Sequence, residues 1–228
     1  MTTAEASPTG TDVSDMIAVH RVFRDTLGQA MNLIGSLRPG DGDQAVLIVN
    51  FYENVLSLLH AHHEGEDQLI LPLLRVRCPR QLDVMEQVGM QHRDADVLLA
   101  GADRSLVAWA GGTGSASTAA TALGALWDSL GSHLDDEERE VLPLCAQHLS
   151  PQEWGALPGH VMAAFAGDKV WLVLGLVSER MTAKQRDEMW AHMPPAVLDM
   201  WLGFGERAFT DLMAAVGLPS GVVAGEAT

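Results

Sequence analysis

Sulfur chemistry has little to work with in this chain. The two cysteines, Cys78 and Cys145, stand far apart among 228 residues and form no C-x-x-C pair, which argues against a disulfide framework and against a thiolate zinc site. Positive charge is scarce as well. Fourteen Lys and Arg face 30 Asp and Glu, a formal net charge of −16, and a surface of that sign repels phosphate backbones and anionic headgroups. No nucleic acid and no membrane partner is expected. Long apolar runs are missing: the longest, "VWLVLGLV", has eight residues, against the roughly 20 that a bilayer crossing needs. The opening residues, "MTTAEASPTGTDVSD", lack the basic and apolar regions of a signal peptide, so a cytoplasmic location is expected. No segment alternates apolar and polar residues for long, and no sheet is expected.

The chain is instead rich in apolar residues, 47% of the total, and they recur at helical spacing. Met16, His20, Phe23, Leu27, Met31 and Ile34 share one face; "RPGDGD" ends that helix. A second helix is expected from about Gln44 to Leu74, a third through Met85 to Trp109, and a fourth through Ala119 to Leu144. Short loops join them, which predicts an all-α fold, an antiparallel up-down-up-down four-helix bundle with additional C-terminal helices. Residues 1–11, small and polar, are expected to be disordered, 12–149 to form the bundle, and 150–228 to form a helical extension. In that extension "SPQE" (150–153) and "TAKQ" (182–185) read as capping boxes. Its tryptophans, Trp154, Trp171, Trp190 and Trp201, require burial, either on the bundle or on a partner such as a second copy in a homodimer.

Histidines interrupt the apolar stripes at one level. His20, His62, His92 and His133 each take a core-facing place on one helix, and on the second and fourth helices a glutamate follows at i+4, Glu66 and Glu137. Such a pair shares one helix face. The spacing repeats: 42 residues separate His20 from His62, and 41 separate His92 from His133. Pro72 and Pro143 both follow six residues after the glutamate, where each is expected to bend or end its helix. One buried histidine is ordinarily a hydrogen-bonded core residue, but buried carboxylates beside four histidines are costly without a cation. Nitrogen and oxygen donors without sulfur suit iron, manganese or zinc.

The arrangement H…HxxxE…H…HxxxE on four helices resembles the hemerythrin-like (HHE cation-binding) family over about residues 12 to 148. It is similar above all to the four-His, two-Glu type seen in actinobacterial hemerythrin-like proteins. The resemblance implies two iron ions, oxo- or hydroxo-bridged, with His20, His62, Glu66, His92, His133 and Glu137 as ligands; zinc or manganese is the alternative. Oxygen-carrying hemerythrins have five histidines, two of them a turn apart on the third helix. Here His92 is flanked by Val88 and Asp96 at those offsets, which counts against plain oxygen storage. His63, Glu64, Asp96 and Glu138 are candidates for an extra ligand or for a group that orients one. Members that this chain resembles handle peroxide, so the expected partner is a small molecule, peroxide, O2 or NO, in oxidative or nitrosative stress. Catalase-like peroxide decomposition is one reading, with no catalytic residue separate from the ligands. An iron or oxygen sensor without turnover, and a structural zinc or manganese bundle, are the alternatives.

Overall fold

A computed structural model describes residues 10–37, 41–165 and 169–218. Of the segment expected to be disordered, residues 1–9 lie outside that range. Thr11 is tied down: its N–H donates to the Ala146 carbonyl at 2.9 Å and its hydroxyl to the Leu149 carbonyl at 2.5 Å. Among the described residues there is no strand, and no helix is long and apolar enough to cross a membrane.

The bundle consists of α1 (Asp15–Gly35), α2 (Gly42–Gly65) continued by α3 (Leu71–Arg77), α4 (Leu82–Ala110), and α5 (Ala116–Asp136) continued by α6 (Leu142–His148). Around the bundle α1 packs on α5, α5 on α4, α4 on α2, and α2 on α1. The sequence pattern anticipated four α-helices; two of them contain a π-helical turn, Glu66–Ile70 between α2 and α3 and Glu137–Val141 between α5 and α6. Leu71 N–H reaches back five residues to the Glu66 carbonyl, and Leu142 N–H to that of Glu137. This explains the paired prolines. Pro72 and Pro143 fall at the second position of α3 and α6, where a missing N–H and a bulky ring are tolerated. They do not end the helices. The wider turns come at the two glutamates, and inserted turns of this kind are common at functional sites.

Two apolar clusters fill the interior. One holds Phe23, Leu27, Tyr52, Leu59, Ala95 and Leu130; the other holds Met16, Ile70, Leu71, Met85, Val88 and Val141. The histidine level lies between them, since Met16 and Phe23 flank His20 on one helix, and Val88 and Ala95 flank His92 on another. Water is thereby kept from the polar layer at both ends.

The extension continues as α7 (Pro151–Trp154), α8 (Ala156–Ala164), α9 (Val170–Ser178), α10 (Ala183–His192), α11 (Pro195–Met200) and, after a third π turn at Trp201–Gly205, α12 (Glu206–Val216). Both capping boxes form, Ser150 with Glu153 and Thr182 with Gln185. The extension packs on the bundle: α8 and α12 lie on α2, and α9 on α1. Trp190 stacks on Trp201, and Trp154 is buried. The contact between α9 and α12 depends on Gly175, where an added Cβ would sit 2.3 Å from the Phe209 ring. Gly175→Ala is therefore expected to destabilise the protein by about 1–3 kcal/mol, read as a lower urea midpoint with the helix content unchanged.

Candidate metal centre

Four helices deliver the side chains to one level. His20 comes from α1, His62 and His63 from α2, His92 from α4 and His133 from α5; Glu66 and Glu137 open the two π turns. None of the seven is more than 2% exposed. Glu66 Oε1 faces His62 Nε2 and Oε2 faces His92 Nε2, both at 3.6 Å. Glu137 Oε2 faces His20 Nε2 at 3.5 Å and His133 Nε2 at 3.6 Å. These separations are long for hydrogen bonds, and the four Nε2 atoms, both Glu66 oxygens and Glu137 Oε2 are buried with no hydrogen-bond partner. They suit neighbouring ligands of a shared cation, whose bonds to nitrogen and oxygen are about 2.0–2.2 Å. The donors fall into two groups, His20, His62, Glu66 and Glu137 in one and His63, His92 and His133 in the other, each with its ligand atoms within 4.8 Å of one another.

The outward ring nitrogens are held by partners. His20 Nδ1 meets Glu138 Oε1 at 2.8 Å, His92 Nδ1 meets Asp67 Oδ1 at 2.9 Å, and His133 Nδ1 meets Gln91 Oε1 at 3.3 Å. An Nδ1–H that donates outward leaves the Nε2 lone pair pointing at the cluster, the tautomer a metal ligand needs. Two of these three acceptors, Glu138 and Gln91, are anchored in turn. Arg24 donates to both Glu138 and Asp135, and Gln91 Nε2 donates to Asp136 at 3.1 Å.

Burial sets the protonation states. It pushes His62 and His63 well below the ordinary histidine value, with the neighbouring imidazoles adding to the effect. It likewise takes His133 down to about 4. Burial, then the charge of Glu137, pushes Glu66 well above the usual carboxylate range. Burial acts most strongly on Glu137 and would raise it too, but His20, Glu66, His133 and His62 around it together prevail, and Glu137 is lowered. His62, His63 and His133 are thereby neutral donors at pH 7. In the metal-free protein the lowered histidines leave the unfolded chain binding more protons below the ordinary histidine value of about 6.5. Stability should therefore fall as pH drops from about 6.5 to about 4, with the raised Glu66 opposing part of the loss. Urea midpoints across that range check it, and His63→Leu should flatten the slope.

The six ligand candidates read from spacing are thus brought together. Of the four further candidates, His63 joins the cluster, stacked on His92 at 4.3 Å and edge-on to His133 at 5.1 Å, with both ring nitrogens unpartnered. Glu138 orients His20. Glu64 points away, toward His160 and Gln68, and Asp96 is a half-exposed surface acid near His60; the His92 ring N–H goes to Asp67 instead. Asp67 and Gln91 escaped the sequence reading. A signal for Asp67 was present, because it follows Glu66 as Glu138 follows Glu137. Asp67→Asn is expected to weaken metal affinity about 10–100-fold, and Asp96→Asn to leave it unchanged, in competition with a chromophoric chelator.

A dry layer of imidazoles and carboxylates between two apolar clusters of a four-helix bundle defines a cation-binding helical protein. The family model for the hemerythrin HHE cation binding domain matches residues 11–145, more than half of the chain, and the chain belongs to that family. Membership implies a bound metal, typically iron, and the donor set found here fits one. No curated protein and no solved structure matches the chain significantly.

Proposed function

We propose that this chain is a non-haem di-iron protein whose centre binds, and reacts with, peroxide or a small diatomic such as O2 or NO. The placing of Glu66 supports this best: its two oxygens face histidines of the two different donor groups, as a carboxylate spanning two adjacent ions would. Glu137 differs in using one oxygen, Oε2, which faces both His20 and His133, again of different groups. When bound, a pair of irons supplies the ferrous–ferric change that such chemistry requires. The protein's own residues do the rest. The apolar clusters exclude bulk water, the outward partners Glu138, Asp67 and Gln91 hold the rings of His20, His92 and His133 in register, and the absence of sulfur donors from the cluster disfavours copper(I) and iron–sulfur alternatives.

Metal content per chain, measured with the ultraviolet–visible spectrum before and after peroxide addition, tests the reading. Close to two irons with a visible absorption that peroxide alters, and oxygen evolved, is the expected result. Iron without turnover would shift the reading to sensing. One tightly held zinc would overturn it.

A further inference from the structure

The C-terminal extension does not fill all the space between itself and the bundle. α8, α9 and α10 stand against α1 and α2 around a half-open chamber of about 490 Å³, within the roughly 300–1,000 Å³ typical of small-molecule sites. His62 of the metal cluster forms part of one wall. The remainder is mostly apolar, with Leu58, Leu157, Val173, Leu174 and Val177 in the walls. Met16, Met162, Met181, Met189 and Met193 line it as well, five of the 11 methionines in the chain, and walls of that composition adapt to the shape of an apolar guest.

Two hydrogen bonds latch the walls together. Gln185 Nε2 of α10 donates to Ser14 Oγ, just before α1, at 2.9 Å, and Trp154 Nε1 donates to Asp15 Oδ1 at 3.0 Å. The chamber is thus built by specific contacts across its margins. Its carboxylates are Asp12, Asp15 and Glu188, and there is no Lys or Arg among the described lining residues; the other titratable groups there are His62 and His192. Lys184 pairs with Glu188 at 3.6 Å but is 80% exposed and lies outside the lining.

We propose that this chamber binds an apolar small molecule whose head group is uncharged or cationic, seated against the His62 wall of the metal cluster. A fatty-acid carboxylate is disfavoured because it would meet like charge at Asp12, Asp15 and Glu188, and such juxtaposition is strongly selected against in recognition. The inference goes beyond the di-iron reading and holds whichever metal the cluster carries.

The test uses the full chain as purified. It is titrated with N-phenyl-1-naphthylamine, an uncharged apolar fluorophore, which is then displaced by dodecanol, dodecyltrimethylammonium or dodecanoate below their aggregation concentrations. The first two should displace the probe, with dodecanoate at least about tenfold weaker, and the double change Asp12→Asn, Glu188→Gln should narrow that gap. Val177→Phe and Met189→Trp, made separately, fill the chamber from different helices. Each should lower probe affinity by about tenfold or more without changing metal content. The proposal is overturned if the probe does not bind, if dodecanoate competes as well as dodecanol, or if a filling variant with parental metal content and melting temperature binds the probe as the parent does.

Discussion

Glu66→Leu should abolish metal retention and, in the same protein, stabilise the metal-free form. The first effect follows from its two oxygens, which face His62 and His92 in different donor groups, so one substitution removes an oxygen donor beside each. Losing an outer partner of a metal ligand lowers affinity about 10–100-fold, and losing this shared ligand should exceed about 100-fold. The second effect follows from burial. Without a cation, Glu66 leaves two buried oxygens unpartnered, and a buried polar group left unsatisfied costs about 1–3 kcal/mol, which an apolar side chain of similar volume relieves. Dialysis followed by metal analysis reads the first effect, and urea unfolding of the chelated proteins reads the second. Glu64→Leu, two residues away and directed at His160, should do neither. A Glu66→Leu protein that held metal like the parent, or whose metal-free form was weaker, would remove Glu66 from the centre.

Chelation of the unaltered protein should lower its melting temperature substantially. Seven ligand atoms from Glu66, Glu137, His20, His62, His92 and His133, together with both ring nitrogens of His63, are buried without hydrogen-bond partners, and a ligand that satisfies them only in the folded state stabilises that state by mass action. At a free metal concentration 100 times Kd the gain is about 2.7 kcal/mol. In a chain of this size each kcal/mol moves the midpoint by about 2–4 °C, so removing the metal should cost roughly 5–10 °C. Scans with and without chelator, followed by re-addition of ferrous iron, measure it. An unchanged midpoint would mean that the cluster binds no ion with useful affinity.

The bundle was legible because its apolar residues keep a helical period, and the six principal site residues because they break that period at one level. Both capping boxes of the extension were readable from four residues each, since a cap is a local contact. The π turns were not. Pro72 and Pro143 marked the positions, but whether a proline bends, ends or follows an inserted turn depends on how the preceding helix docks. His63 was ambiguous for the same reason: neighbouring His62 and His63 point about 100° apart on a regular helix, and only the packed bundle shows that both rings enter the interior. Asp67 drew no reading: its side chain is half-exposed, and its role depends on α4 bringing His92 within reach. The chamber needed the return path of α8 to α10, which no local pattern encodes.

Two of the three outward hydrogen bonds cross between the two halves of the bundle. Glu138, from the second helical hairpin, holds His20 of the first, and Asp67, from the first, holds His92 of the second. Neither hairpin alone can orient its own first histidine. Capture of an ion is therefore a late event in folding, possible only once α1 has closed against a segment more than a hundred positions further along the chain. Iron uptake by a refolding sample would time the docking of the two hairpins, independently of when the individual helices form.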